Sequence, residues 1–263
     1  MPLLKISIIT QEDSFVIPRN VEMLLNDNNV DVVSIYTIEG KGSFTNKLGY
    51  FIKGFGFFQS FKMGVHLITS KVLNKLDLIF GGKLFKTKRS IKAVAEKHRV
   101  PYCVLPNLKS QKVLDELRSH SPDLIISFSA PCIFPPELLA LPPKGCINLH
   151  CSLLPLYAGL LPSFWTLYCA EKEGGATVHY MDDRIDNGGI LGQVRVDISD
   201  SPSMYQSIQR TKKAGGQLMI QTITKIADNT ITVTPNDSSQ GSYYTWPTIE
   251  QMREFRKKGG RLI

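Results

Sequence analysis

DLIISFSAPCIFPPELLALPPKGCINLH, residues 123–150, holds the fold in miniature. DLIISFSA is an apolar run of strand length closed by small, turn-forming residues. PPELLALPP is a short helix bounded by prolines, and GCINLH is a second apolar run. Strand, helix and strand in that order imply a parallel pair joined by a crossover. The rhythm repeats outward. KISIIT (5–10) reads as a buried strand, VEMLLNDNN (21–29) as a helix and VDVVSIYTI (30–38) as another strand. RSIKAVAEKHRV (89–100), PYCVLPN (101–107) and KSQKVLDELRSHS (109–121) continue as helix, strand and helix.

Beyond His150, PSFWTLYCAEKEG (162–174) reads as a helix. ATVHYMDD (176–183) and ILGQVRVDIS (190–199) read as strands around the polar turn DDRIDNGG. Residues 203–229 form the longest helical pattern, with Met219, Ile220, Ile223 and Ile226 at helical spacing. The expected fold is α/β: a Rossmann-like open, mostly parallel sheet flanked by helices. It would comprise a main body over 1–228, with an insertion at about 40–88, and a short C-terminal extension over 229–263. TQEDSF, rather than a G-x-G-x-x-G loop, follows the first strand, which disfavours a nicotinamide or flavin dinucleotide.

The 263 residues are 43% hydrophobic, enough for a packed core and unlike a disordered chain. A formal charge of +8 favours anionic ligands but says nothing of fold. The five cysteines form no C-x-x-C, so reduced, mostly buried thiols are expected and no metal site. The N-terminus lacks a leader-like apolar region and no stretch is long enough to span a bilayer, so the expected location is cytoplasmic.

Residues 40–88 interleave Phe, Leu and Ile with Lys and carry almost no acid. Two readings stay open. One is a basic amphipathic excursion touching a membrane surface, a lipid-linked substrate or a partner. The other is a helical insertion that packs its apolar side on the body and turns its lysines to water.

Alternation along a strand puts Asn148 and His150 on one face, at the carboxyl end where open α/β sheets bind ligands. An Asn offers an N–H to an oxyanion, and a His can act as acid, base or cation. Asp186 stands in a glycine-backed turn from which a carboxylate can orient an imidazole. Asp182 and Asp183 are equally ordinary turn residues.

GCINLHCSLLPLYAG followed by GGATVHYMDDRIDNGGILGQ resembles the catalytic domain of the formyltetrahydrofolate-dependent formyltransferases. That group includes methionyl-tRNA, glycinamide ribonucleotide and nucleotide-sugar N-formyltransferases. The likeness runs from about residue 90 to 225 and is carried by N-x-H-x-S-L-L-P at 148–155 and D-x-G-x-I at 186–190. It implies that Asn148, His150 and Asp186 are catalytic and that 10-formyltetrahydrofolate is the formyl donor, with no metal. SAPCIFPP (129–136) matches the stretch that clasps the pterin, which nominates Ala130, Pro131 and Ile133, with Asp182 closing the other side. Ser152, Leu154, Pro155 and Tyr157 are expected beside the acceptor.

The pattern departs from that family in two places. Leu156-Tyr157-Ala158-Gly159 stands where many methionyl-tRNA formyltransferases carry an Arg, and the residues after Asn229 are too few for their C-terminal β-barrel. The SYY segment (242–244) looks more like the ends of amino-sugar formyltransferases. The expected acceptor is therefore a small-molecule amine such as a nucleotide-linked or lipid-associated amino sugar, with tRNA as the alternative. Formyltetrahydrofolate hydrolysis and a non-catalytic membrane-associated module are further alternatives. A homodimer through the apolar insertion or the tail also stays open.

Overall fold

The computed structural model describes residues 3–13, 16–38, 48–80, 82–130 and 132–263. A seven-stranded sheet forms its centre, in the order β3-β2-β1-β4-β5-β7-β8. The strands are β1 (Leu4–Gln11), β2 (Val30–Ile38), β3 (Tyr102–Leu105), β4 (Leu124–Ser127), β5 (Cys146–His150), β7 (Glu173–Tyr180) and β8 (Ile190–Asp197). The first five are parallel, while β7 runs antiparallel to both β5 and β8. A small parallel pair, β6 (Ala158–Gly159) and β9 (Tyr243–Tyr244), lies apart.

Each half of the sheet is buried because helices cover both faces. On one face Ile6, Ile8, Ile126, Ile147 and Leu149 pack with α1 (Ile17–Leu25), α4 (Ile91–His98) and α8 (Met204–Ala227). Ile9, Ile125 and Cys146 point the other way, toward α5 (Gln111–Ser119) and α6 (Pro136–Leu139). The long helix α8 sits close because it is notched by glycine. A methyl group on Gly215 would stand 2.7 Å from Leu149 Cδ1 and 2.9 Å from Ala176 Cβ.

A third apolar cluster ties the chain's ends to its middle. Phe51 and Phe55 of α2 (Leu48–Phe55), Met63 of α3 (Phe57–Ile79), Phe164 and Trp165 of α7 (Pro162–Tyr168), and Met252 and Phe255 of α9 (Ile249–Lys257) meet there. Residues 229–263 therefore lie against the body.

The structure corrects three expectations. The helix read over 162–174 ends at Tyr168, and β7 starts at Glu173. Gly174 and Gly175 permit this, since a Cβ on Gly175 would lie 2.5 Å from both Leu153 Cδ2 and Val194 O. Of the five thiols, Cys103, Cys132 and Cys169 are exposed, and only Cys146 and Cys151 are buried. The insertion is helical, but its two helices behave differently. α2 buries its aromatic side, whereas α3 turns Phe57, Phe58, Phe61 and Ile68 outward. Residues 40–47 and 81 of the insertion lie outside the described residues. Among the described residues, no helix is long and apolar enough to cross a membrane.

Candidate active site

The strand order reverses at β1, where β2 leaves to one side and β4 to the other. In such sheets the carboxyl ends beside the reversal open a crevice. A cleft of about 580 Å3 lies there. Gln11 and Asp13 line it from the end of β1, and Ser129, Ala130, Cys132, Ile133 and Phe134 from the loop after β4. Asn148 to Cys151 contribute from the end of β5, and Met181, Asp182, Arg184, Ile185 and Asp186 from the loop after β7.

Asn148, His150 and Asp186 meet in this cleft. Asn148 Oδ1 accepts the Ala130 N–H at 3.1 Å, which fixes the amide and turns its nitrogen toward His179 Nε2, 3.3 Å away. One amide N–H remains for a ligand oxygen. His150 Nε2 lies 2.9 Å from the Tyr157 carbonyl, and Nδ1 lies 3.3 Å from Asp186 Oδ2. Both partners can only accept, so a proton on each ring nitrogen would serve both. Asp186 Oδ1 stands 3.6 Å from His179 Nε2. Burial alone would raise the Asp186 carboxyl. The charge of His150, the hydrogen bond and charge of His179 and the Gly159 N–H outweigh it and hold the group at about 2.

The loop holding Asp186 is itself held. Asp186 adopts a left-handed conformation, with φ 49°. Its Oδ2 accepts the Gly159 N–H at 2.9 Å, and its carbonyl accepts from Asn236 Nδ2 at 2.9 Å. Gly159 has φ 94°, and a Cβ there would sit 2.2 Å from the Tyr244 carbonyl. Gly159→Ala is expected to cost about 1–3 kcal/mol of stability. A thermal melt checks this, and a wild-type melting temperature would contradict the role given to this glycine.

The sequence model of the formyl transferase family matches residues 70–223, more than half of the chain. The chain belongs to the formyl transferase family. Methionyl-tRNA formyltransferase of Halalkalibacterium halodurans is 34% identical over 194 residues, which span 73% of this chain and 61% of that protein. The chain spans about half to three fifths of the length of the curated relatives it matches. Among solved structures, phosphoribosylglycinamide formyltransferase from Anaplasma phagocytophilum aligns with a TM-score of 0.62 at 17% identity, covering 93% of this chain and all of that one. A 4-N formyltransferase from Francisella tularensis aligns at 0.56 and 18% identity, over 96% of this chain and 86% of the other. At such identities the likeness is one of fold.

The residues expected in this formyl transferase fold separate into two groups. Ala130, Ile133 and Asp182 line the cleft with Asn148, His150 and Asp186. Ile133 is half exposed there, while the Asp182 carboxylate braces its own loop by accepting from Arg184 N–H and Asn187 Nδ2. Pro131 lies outside the described residues. Ser152, Leu154, Pro155 and Tyr157 do not line the cleft. Ser152 Oγ donates to the Leu156 carbonyl at 2.7 Å, and Leu154 N–H donates to Thr177 Oγ1 at 3.0 Å. The Pro155 carbonyl accepts from Ser242 N–H. The Tyr157 ring stacks on Tyr244 while its hydroxyl donates to Glu171 at 2.6 Å. These four groups shape the turn, and only the Tyr157 carbonyl reaches the site, by holding His150.

His179, Trp246 and Lys212 are among the cleft residues that escaped the sequence reading. His179 faces Asn148 directly across the β5–β7 register, and its Nδ1 is fixed by the Tyr180 carbonyl at 2.7 Å. Trp246 reaches the cleft from the C-terminal segment. Lys212 of α8 pairs with Asp13 at 3.0 Å. Burial would lower the Lys212 ammonium, but the Asp13 charge outweighs it and keeps the group above the ordinary lysine range. The pair thus remains ionised through neutral pH, and its stabilisation is lost only as pH rises through that elevated value. His179→Gln is expected to lower kcat about tenfold to a hundredfold by misplacing Asn148, with donor KM little changed. A rise in KM at constant kcat would contradict this positioning role.

Proposed function

We propose that the chain transfers the formyl group of 10-formyltetrahydrofolate to a primary amine in this cleft. The observation that carries the reading is the convergence in one cleft of the Asn148 amide and the His150 imidazole, from the end of β5, with the Asp186 carboxylate paired to His150. The amine attacks the formyl carbon, and the carbonyl oxygen becomes an oxyanion. The free Asn148 N–H and the positive His150 stabilise that charge in a site where little water dilutes their effect. The carbon–nitrogen bond to the folate then breaks, and its nitrogen takes a proton. His150 supplies that proton, and the amine's surplus proton goes to Asp186, directly or through water.

A carboxylate held near 2 is a weak base. His150 is the charge that depresses it, however, so donation by His150 makes Asp186 more basic when the amine must be deprotonated. The 3.3 Å contact between them returns the proton and restores the starting state.

The sequence relatives support methionyl-tRNA as the acceptor, since the curated matches at 28–36% identity are methionyl-tRNA formyltransferases. This is the alternative to the small amine expected from the departures at 156–159 and in the tail. Met204, Ile208, Leu161 and Trp246 give the cleft an apolar wall that suits a methionyl side chain. A second acceptor class, a nucleotide-linked amino sugar, is favoured by the cleft itself. Its volume of about 580 Å3 falls in the range of small-molecule pockets, and Trp246 closes it from the C-terminal segment. Incubation with the donor and either methionyl-tRNA or a panel of amino-sugar nucleotides, scored by the gain of one formyl group, separates the two. Formylation of tRNA alone supports the first acceptor, of a sugar alone the second, and of neither would overturn both.

A further inference from the structure

Helix α3 is inside out. Its 23 residues form a rod of about 34 Å, and the side turned to the protein buries mostly polar residues beside Met63. Ser60, Ser70 and Asp77 are buried there, His66 meets the Tyr205 hydroxyl at 3.0 Å, and Asn74 accepts from Ser90 Oγ. Asp77 lies buried against Lys88 at 2.8 Å, held below the usual carboxylate range by Lys88 and backbone N–H groups despite its burial. The side turned outward is apolar along its whole length. Phe58 is 80% exposed, Ile79 68% and Ile68 65%, with Phe57, Phe61 and Val72 between them. At 100° per residue these side chains fall within one stripe. Patches of this extent mark an interaction surface.

Charge identifies the occupant. Lys62 borders one side of the stripe and Lys71 and Lys75 the other, all exposed, and Lys53, Lys83 and Lys86 extend the basic rim. Asp77 is the one acid between residues 40 and 90, and it is buried in its own ion pair. A second copy docking α3 on α3 would set these lysines against each other with no exposed acid on the element to offset them. We propose that α3 docks on an anionic phospholipid surface. The aromatic and aliphatic stripe enters the headgroup–acyl boundary while the lysines meet lipid phosphates. The helix lies in the plane of the bilayer, since its polar side is already fastened to the protein. Met63, behind the stripe, packs in one cluster with Met204, which lines the cleft. Docking would therefore bring the active-site mouth close to the membrane.

Flotation of the full chain with phosphatidylcholine vesicles, with and without phosphatidylglycerol, tests this. The protein is expected to float with the anionic vesicles, and added salt should weaken that binding. Phe61→Asp with Ile68→Asp should lower partition at least about tenfold, and Lys62→Gln with Lys71→Gln and Lys75→Gln should erase the preference for phosphatidylglycerol. All five positions are exposed, so circular dichroism and the melting temperature should match wild type. Wild-type protein left in the dense fraction with anionic vesicles would overturn the proposal. So would a dimer in solution that Phe61→Asp with Ile68→Asp converts to monomer, because a second copy would then cover the stripe.

Discussion

His150→Gln is expected to lower kcat/KM for formyl transfer by about a thousandfold, or about 4 kcal/mol of transition-state stabilisation. In the proposed reaction the imidazole joins two functions, a positive charge beside the developing oxyanion and a proton for the departing folate nitrogen. Glutamine can still donate to the Tyr157 carbonyl, which His150 Nε2 meets at 2.9 Å, so the turn at 152–159 should survive. The loss should fall on kcat rather than on donor binding, because Ala130, Ile133 and Asp182, the residues expected to hold the donor, are unaltered. Steady-state kinetics alongside a melting curve checks both halves. Activity within tenfold of wild type would remove His150 from the chemistry.

Asp186→Asn is expected to be nearly as severe, at about a hundredfold to a thousandfold in kcat. The carboxylate pairs with His150 and His179 and accepts the Gly159 N–H, and an amide cannot serve all three. The substitution also carries a pH signature. Because the folded-state value is depressed to about 2, the ionised carboxylate stabilises the fold above the unfolded value near 4, and this contribution is lost as pH falls through about 2. The stability gap between wild type and Asp186→Asn should close in strong acid, as pH falls through about 2. A gap that persists unchanged in strong acid would show that Asp186 is not held in this way.

Much of this architecture is legible in the sequence because each signal is local. The apolar runs at 5–10, 30–38 and 145–150 mark strands with no knowledge of their neighbours, and the helical period of 203–229 survives its own glycines. The N-x-H and D-x-G spacing also lies along the chain. What escaped depends on which residues face each other. His179 becomes part of the site only through the antiparallel register that pairs it with Asn148, and Lys212 only when α8 crosses beside Asp13. Ser152 and Tyr157 looked like acceptor contacts because they follow the catalytic strand, yet their hydroxyls are taken up by Leu156 and Glu171. Orientation was hidden in α3 as well. An amphipathic pattern gives the two faces of a helix but not which one meets the protein. The buried Asp77–Lys88 pair and the His66–Tyr205 contact turn the polar face inward, against the usual hydrophobic rule.

The ratio of tetrahydrofolate released to formyl group gained by the acceptor, followed through a single time course, bears most directly on the chemistry at Asn148, His150 and Asp186. Equal amounts, with both falling together in His150→Gln, are expected of transfer to an amine. Tetrahydrofolate released with no formylated acceptor would mean that water is the acceptor, and release unchanged in His150→Gln would contradict the assignment of the site.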